Sequence, residues 1–149
     1  MTLAIHLAGE ADLPRVESLV GRFHAEYGLE TSEEHRRAAL APLCAGSPHG
    51  AIYLAGPRNA PMGYVIISFG WAIELGGLDG FVDELWVRPS VRGRGVGSAL
   101  LGQVSARLAR EGLKALHLEV DETDGRTQDY YHRLGYRLRD RYRLMSITF

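Results

Sequence analysis

Gly80-Phe81-Val82-Asp83-Glu84-Leu85-Trp86-Val87-Arg88-Pro89-Ser90-Val91-Arg92-Gly93-Arg94-Gly95-Val96-Gly97-Ser98-Ala99-Leu100-Leu101 is the stretch that decides the fold. Its first part, up to Pro89, is rich in β-branched and aromatic residues and reads as a strand. From Ser98 to Arg110 the residues Leu101, Val104 and Leu108 recur at helical spacing. The glycines between them therefore lie on a strand-to-helix turn. Such a turn gathers backbone N–H groups at a helix N-terminus, where they lack helical partners and the dipole favours negative charge. Glycine lets a ligand approach the backbone without a Cβ in the way. Arg92 and Arg94 add cationic donors suited to phosphate oxygens. The turn of Arg92, Gly93, Arg94, Gly95, Val96, Gly97 and Ser98 thus has the makings of a pyrophosphate cradle. Two other phosphate motifs fit less well. A P-loop ends in Gly-Lys-Ser/Thr, which is absent, and a dinucleotide fingerprint wants a third glycine near Ser98 within the first βα unit of its domain.

Upstream of this stretch, residues 51–55 read as a short strand, 56–61 as a hairpin turn and 62–69 as a long strand. Residues 70–80 hold four glycines and read as a strand end plus loop. Near the start, residues 3–7 alternate as a first strand. A helix follows, with Asp12 as its cap, Pro14 in its first turn and the stripe Leu13, Val16, Leu19, Val20 and Phe23. It runs to about Tyr27, where Gly28 stops it. Thr31 or Ser32, followed by Glu33 and Glu34, opens a second helix carrying Ala38, Leu40, Leu43 and Cys44, with Pro42 expected to bend or shorten it. Downstream, residues 113–120 read as a strand, 121–126 as a polar loop and 128–134 as a short helix stopped at Gly135. Residues 136–149 read as two further strands split near Asp140. The βαβ unit around the glycine turn should be parallel and right-handed, and the leading hairpins antiparallel. The expected fold class is α/β in the mixed, α+β sense: a central, mostly antiparallel sheet with helices on both faces.

A chain of 149 residues is expected to form a single domain over residues 1–149 with a substantial core. A net charge of −1 and a pI near 6.6 argue against general nucleic-acid binding, which wants a basic excess. The lone Cys44 excludes an intrachain disulfide and fits a reducing, cytoplasmic setting. It lies in an apolar helical stretch and reads as packing. No secretory leader pattern is visible, and no segment approaches the ~18 unbroken apolar residues of a membrane span, so no membrane partner is expected. The histidines show no metal-ligand spacing, and no metal is expected.

Arg92-x-x-Gly95-x-Gly97, after a Leu-Trp-Val strand and opening a helix, resembles the acyl-CoA motif of the GNAT family of N-acetyltransferases. The order of elements is similar over nearly the whole chain, and the specific features run from about residue 82 to 136. The resemblance implies a splayed parallel strand pair, with acetyl-CoA as co-substrate. Its pantetheine arm would lie along Leu85, Trp86 and Val87, whose free backbone groups an amide-containing arm can pair as a pseudo-strand. Tyr130-Tyr131-His132-Arg133-Leu134-Gly135-Tyr136 is similar to the family's aromatic-Tyr-x-x-x-Gly-aromatic segment. The matching Tyr131 is thereby implied as the general acid for the departing thiolate. The family often has Asn, with Ala three residues on, where this chain has Asp124 and Thr127, so the resemblance assigns no CoA contact to that loop.

An attacking amine must lose a proton, and a carboxylate serves that purpose. Candidates are Asp83 and Glu84, with Glu119 on the next strand. Alternation puts Asp83 and Glu84 on opposite faces unless a bulge intervenes. His24, Glu26 and Tyr27 end the first helix where they could line the acceptor side, and His24 by itself reads as a surface residue. Arg137, Arg139, Arg141 and Arg143 alternate as a solvated strand edge. The expected function is transfer of an acetyl group to a primary amine of a small molecule by direct attack in a ternary complex. Asp83-Glu84-Leu85-Trp86-Val87 resembles the corresponding stretch of small-molecule members. The alternatives are a non-catalytic acyl-CoA sensor, or an acetyltransferase acting on a protein N-terminus or lysine. The β-rich end of the chain suggests a homodimer joined through sheet edges.

Overall fold

A computed structural model describes residues 2–149. The chain forms two compact units, one ending at Leu118 and the other spanning Glu119–Phe149. The first contains β1 (Ile5–Leu7), α1 (Leu13–Glu26), α2 (Glu33–Cys44), β2 (Gly50–Ala55), β3 (Gly63–Ala72), β4 (Gly77–Val87), α3 (Val96–Arg110) and β5 (Ala115–His117). The second contains α4 (Gly125–Arg133). The five strands form one sheet in chain order, antiparallel from β1 to β4 and parallel between β4 and β5. The expected mixed, mostly antiparallel sheet with one parallel pair is the one observed.

Alternation along the strands divides the core into two layers. Ile52, Leu54, Tyr64, Ile66 and Trp86 pack with Val16, Leu19 and Val20 of α1 and Leu40 and Cys44 of α2. On the other face α3 packs on β2, β3 and β4, burying Leu100, Leu101, Val104 and Leu108. Arg107 of α3 sits over the Tyr53 ring, 5.6 Å from its centroid, which places Tyr53 on this second face.

β4 changes parity part-way. Glu84 pairs with Ile66, but Ile67 pairs with Val82, so Asp83 is an extra residue opposite the Ile66–Ile67 step. This β-bulge leaves Asp83 exposed. It also lets Val82 follow Ile67 towards α3 while Glu84 and Trp86 follow Ile66 and Tyr64 towards α1.

Several local expectations are corrected. Within residues 70–80 the expected strand end is present, β3 continuing to Ala72, but the loop is only a short turn: β4 begins at Gly77, and Gly76 at φ +80° supplies the left-handed turn residue. Asp12 does not cap α1 with its side chain; it is buried, accepting from the Gly9 N–H at 2.9 Å and from Arg58 Nη1 at 3.1 Å. Pro42 neither breaks nor shortens α2, because it stands in the last turn, where little helix remains to be disrupted. Ser32 caps that helix, accepting from the His35 N–H at 3.0 Å. β5 is only three residues long. The two strands expected within 136–149 are not formed. That segment is irregular, and the alternation of Arg137, Arg139, Arg141 and Arg143 has no ladder to define its faces.

Candidate functional site

The glycine turn forms as its local chemistry dictates. β4 ends at Val87, a single 3₁₀ turn covers Pro89–Val91, and α3 opens at Val96. Gly93 and Gly95 both have φ +79°, and Gly95 is the N-cap of α3. A side chain at Gly95 would be strained in that conformation. Nothing lies within 4 Å of where a Cβ would stand at either glycine, so the backbone is open to approach. Val96, Gly97 and Ser98 form the first turn of α3, the end of the helix at which N–H groups point outward. Arg94 is exposed beside them.

Arg92 behaves differently from its expected role as a phosphate donor. Its Nη1 and Nη2 donate to the two carboxylate oxygens of Glu26, each at 2.8 Å, and its Nε donates to the Val87 carbonyl at 2.9 Å. Trp86 Nε1 also donates to Glu26, at 2.8 Å. These donors hold the Glu26 carboxyl down at about 2, the Arg92 hydrogen bonds first and the Trp86 bond second. The last turn of α1 is thereby tied to the start of the glycine turn, and the Arg92 N–H donates to the Pro89 carbonyl at 3.3 Å.

Leu85, Trp86 and Val87 pair with Val65, Tyr64 and Gly63 on one edge of β4. On the other edge the ladder to β5 stops at Phe81–His117. Beyond Phe81 no strand among the described residues pairs with that edge of β4. An extended amide-bearing arm fits such an edge.

The Glu84 carboxylate on β4 is held on both of its oxygens. The Tyr64 hydroxyl donates to Oε1 at 2.7 Å. His24 Nε2 lies 2.7 Å from Oε2. The Tyr64 ring is fully buried, and burial, reinforced by the adjacent Glu84 charge, pushes its phenol far above the ordinary range. It therefore stays a donor. The side chains of His24 and Glu84 are 13% and 20% exposed, so the pair is largely screened from bulk water. Of the other candidate bases, Asp83 is exposed on the bulge and Glu119 is exposed at the start of the second unit.

His24 is therefore no ordinary surface histidine, and Tyr64 was not singled out by sequence at all. A signal for His24 was present: it follows Val20 by four residues and so continues the apolar stripe of α1. Nothing in the sequence links position 24 to position 84.

In the second unit Tyr131 lies on α4, between Tyr130 and Tyr136, with ring centroids at 5.1 and 5.7 Å. Gly135, at φ +97°, ends the helix, and the Tyr136 N–H returns to the Tyr131 carbonyl at 3.0 Å. Asp124 and Thr127, where the chain departs from the family pattern, form the N-cap of α4. Thr127 donates to Asp124 through both its N–H, at 3.0 Å, and its hydroxyl, at 2.6 Å. Among the described residues no cluster of three or more His, Cys, Asp or Glu has the arrangement of a metal site, and no helix is long and apolar enough to cross a membrane.

Comparison with solved structures places the fold among acetyltransferases. An aminoglycoside N-acetyltransferase in complex with CoA superposes with a TM-score of 0.79 at 16% identity, over 99% of this chain and 94% of that one. An integron cassette protein from the mobile metagenome of Cole Harbour Salt Marsh gives 0.84 at 29% identity, over 96% and 89%. The acetyltransferase (GNAT) family pattern matches residues 13–136, across both compact units, and the chain belongs to this family. A blasticidin-S acetyltransferase of Streptomyces morookaense is 40% identical over 117 residues, covering 74% of this chain and 81% of that protein.

Proposed function

We propose that this GNAT-family chain transfers the acetyl group of acetyl-CoA to an amine of a small molecule, with Glu84 as general base and Tyr131 as general acid. The observation that carries the reading is the Glu84 carboxylate, fixed between Tyr64 and His24 on the strand that leads into the glycine turn. Acetyl-CoA supplies the activated acyl group. Its pyrophosphate is assigned to the Arg92–Ser98 turn, through backbone N–H groups from Gly93 onward, and its pantetheine arm to the edge of Leu85, Trp86 and Val87. The amine nitrogen bonds to the acyl carbon as its N–H proton passes to Glu84. The C–S bond breaks, and the sulfur takes a proton from Tyr131, which solvent restores. Asp83 is the lesser candidate for the base, since the bulge turns it into solvent.

The small-molecule assignment is supported by the relative that acts on blasticidin S and by the absence of any basic excess that would suit an acidic polymer. We further propose a cytoplasmic homodimer. A thiol-release assay with acetyl-CoA tests the function directly against blasticidin S, aminoglycosides, polyamines and peptides with free N-termini or lysines. Turnover confined to small amines is expected. Turnover of peptides alone would make the chain a protein acetyltransferase. Saturable CoA binding without turnover of any amine would make it a sensor.

A further inference from the structure

His24 is anchored independently of the carboxylate it meets. Its Nδ1 lies 2.7 Å from Thr31 Oγ1 in the segment between α1 and α2. Thr31 is fixed in turn by Arg36 of α2, which donates through Nη1 to the Thr31 hydroxyl oxygen at 3.1 Å and to its carbonyl. Arg36 Nε is held by Glu17 of α1 at 2.9 Å. The Phe23 ring stands 5.9 Å from the imidazole. The ring thus has a fixed place before Glu84 is considered.

An ionised carboxylate only accepts, so Nε2 carries the hydrogen facing Glu84, and neutral Nδ1 accepts the Thr31 hydroxyl proton. Glu84 then has one oxygen held by Tyr64 and the other by His24, and each oxygen keeps a further lone pair for a substrate N–H. Protonation of His24 leaves the Nε2–H contact in place. The new Nδ1–H donates to Thr31, whose own hydrogen turns away. The imidazolium beside it lowers the proton affinity of Glu84 and makes it a poorer base. The charged and titratable groups around the ring are Glu84 from β4, Tyr64 from β3, Arg36 from α2 and Glu17 from α1. Arg22 and Glu26 of α1 stand farther along, at Trp86.

We propose that His24 is a positioning residue for the transfer: through Nε2–H it fixes the Glu84 carboxylate for the acceptor, and only its neutral form supports full base strength. The proposal rests on the reading of Glu84 as the base. It predicts that the acid limb of the kcat–pH profile belongs to the His24–Glu84 pair and not to Glu84 alone.

Three variants and one spectrum test it. His24→Gln keeps an N–H donor near the Nε2 position but cannot titrate. With acetyl-CoA and blasticidin S as substrates, its kcat on the plateau should stay within about threefold of the parent, while the acid limb moves to lower pH. His24→Ala should lose roughly tenfold or more, short of the full loss in Glu84→Gln. The ring ¹⁵N spectrum needs no acceptor: above the titration of His24 it should show the Nε2–H tautomer, and Glu84→Gln should weaken that preference. A parental acid limb in His24→Gln, full activity in His24→Ala, or an Nδ1–H tautomer would each overturn the proposal. Loss of activity in Glu84→Gln with a normal His24→Ala leaves the base reading standing and removes His24. An unaffected Glu84→Gln removes the base reading itself. If His24→Ala does not fold, His24→Gln and the ring spectrum decide.

Discussion

Glu84 differs from its neighbour Asp83 by what surrounds it and not by its chemistry. Tyr64 and His24 hold the Glu84 carboxylate, and Asp83 stands exposed on the bulge. The two substitutions should therefore separate sharply. Glu84→Gln should lower kcat by about 10²-fold or more at neutral pH and recover partly at high pH, where more of the acceptor amine is already free. Asp83→Asn should leave the profile intact. A pH–rate comparison of the two checks this, and two unchanged profiles would move the base elsewhere. Tyr131→Phe should act on kcat with little change in acetyl-CoA binding, since a proton donor to the leaving sulfur matters only as the C–S bond breaks. Single-turnover rates set beside CoA titrations would distinguish that outcome from a loss of binding. Sequence made Glu84 a candidate because carboxylates are the expected bases. It could not choose between positions 83 and 84, because the choice lies with a bulge and with a histidine 60 residues away.

At the scale of elements, the join between α1 and the glycine turn has a pH signature. Glu26 has its carboxyl lowered from the ordinary 4.5 to about 2 by Arg92 and Trp86. A depressed carboxyl contributes stability above its unfolded pKa and loses it as pH falls, here from about 4.5 towards 2. The Tm of the parent should therefore drop more steeply over that window than the Tm of Glu26→Gln. The difference should be small and should shrink in salt, because both partners are partly exposed. Parallel melting curves would show the pair to be inert. The turn itself should respond to Gly97→Glu, which puts bulk and negative charge at the start of α3. That variant should fold but lose the CoA-induced rise in Tm, and a retained rise would place the cradle elsewhere. This turn was legible in sequence because its demands are local: a left-handed residue at Gly95 and a helix opening behind it. The hairpin at 70–80 was not, because its glycine content resembles that of a loop, and pairing of Gly70 with Asp79 and of Trp71 with Leu78 is a property of two strands together. His24 was hidden for the same reason.

For the whole molecule, the fold class followed from the order of elements, while the final strands did not form. Residues 136–149 alternate as strands do, yet a strand is stable only with a partner. Leu144, Met145, Ile147 and Phe149 are exposed there. A homodimer that pairs this segment would satisfy both its backbone and its apolar side chains. Light scattering at micromolar concentration should give twice the chain mass, and loss of residues 142–149 should reduce it to one; a monomer from the intact chain would dispose of the dimer. The bulge at Asp83 carries a further consequence for how this chain can vary. β4 is written in two frames, one serving the α3 layer through Val82 and the other serving the α1 layer through Glu84 and Trp86. Deleting Asp83 would merge the two frames: Val82 and Glu84 would become neighbours that keep the opposite faces and the partners, Ile67 and Ile66, they already have. Asp83 is thus the residue of this strand whose loss would cost the two core layers least.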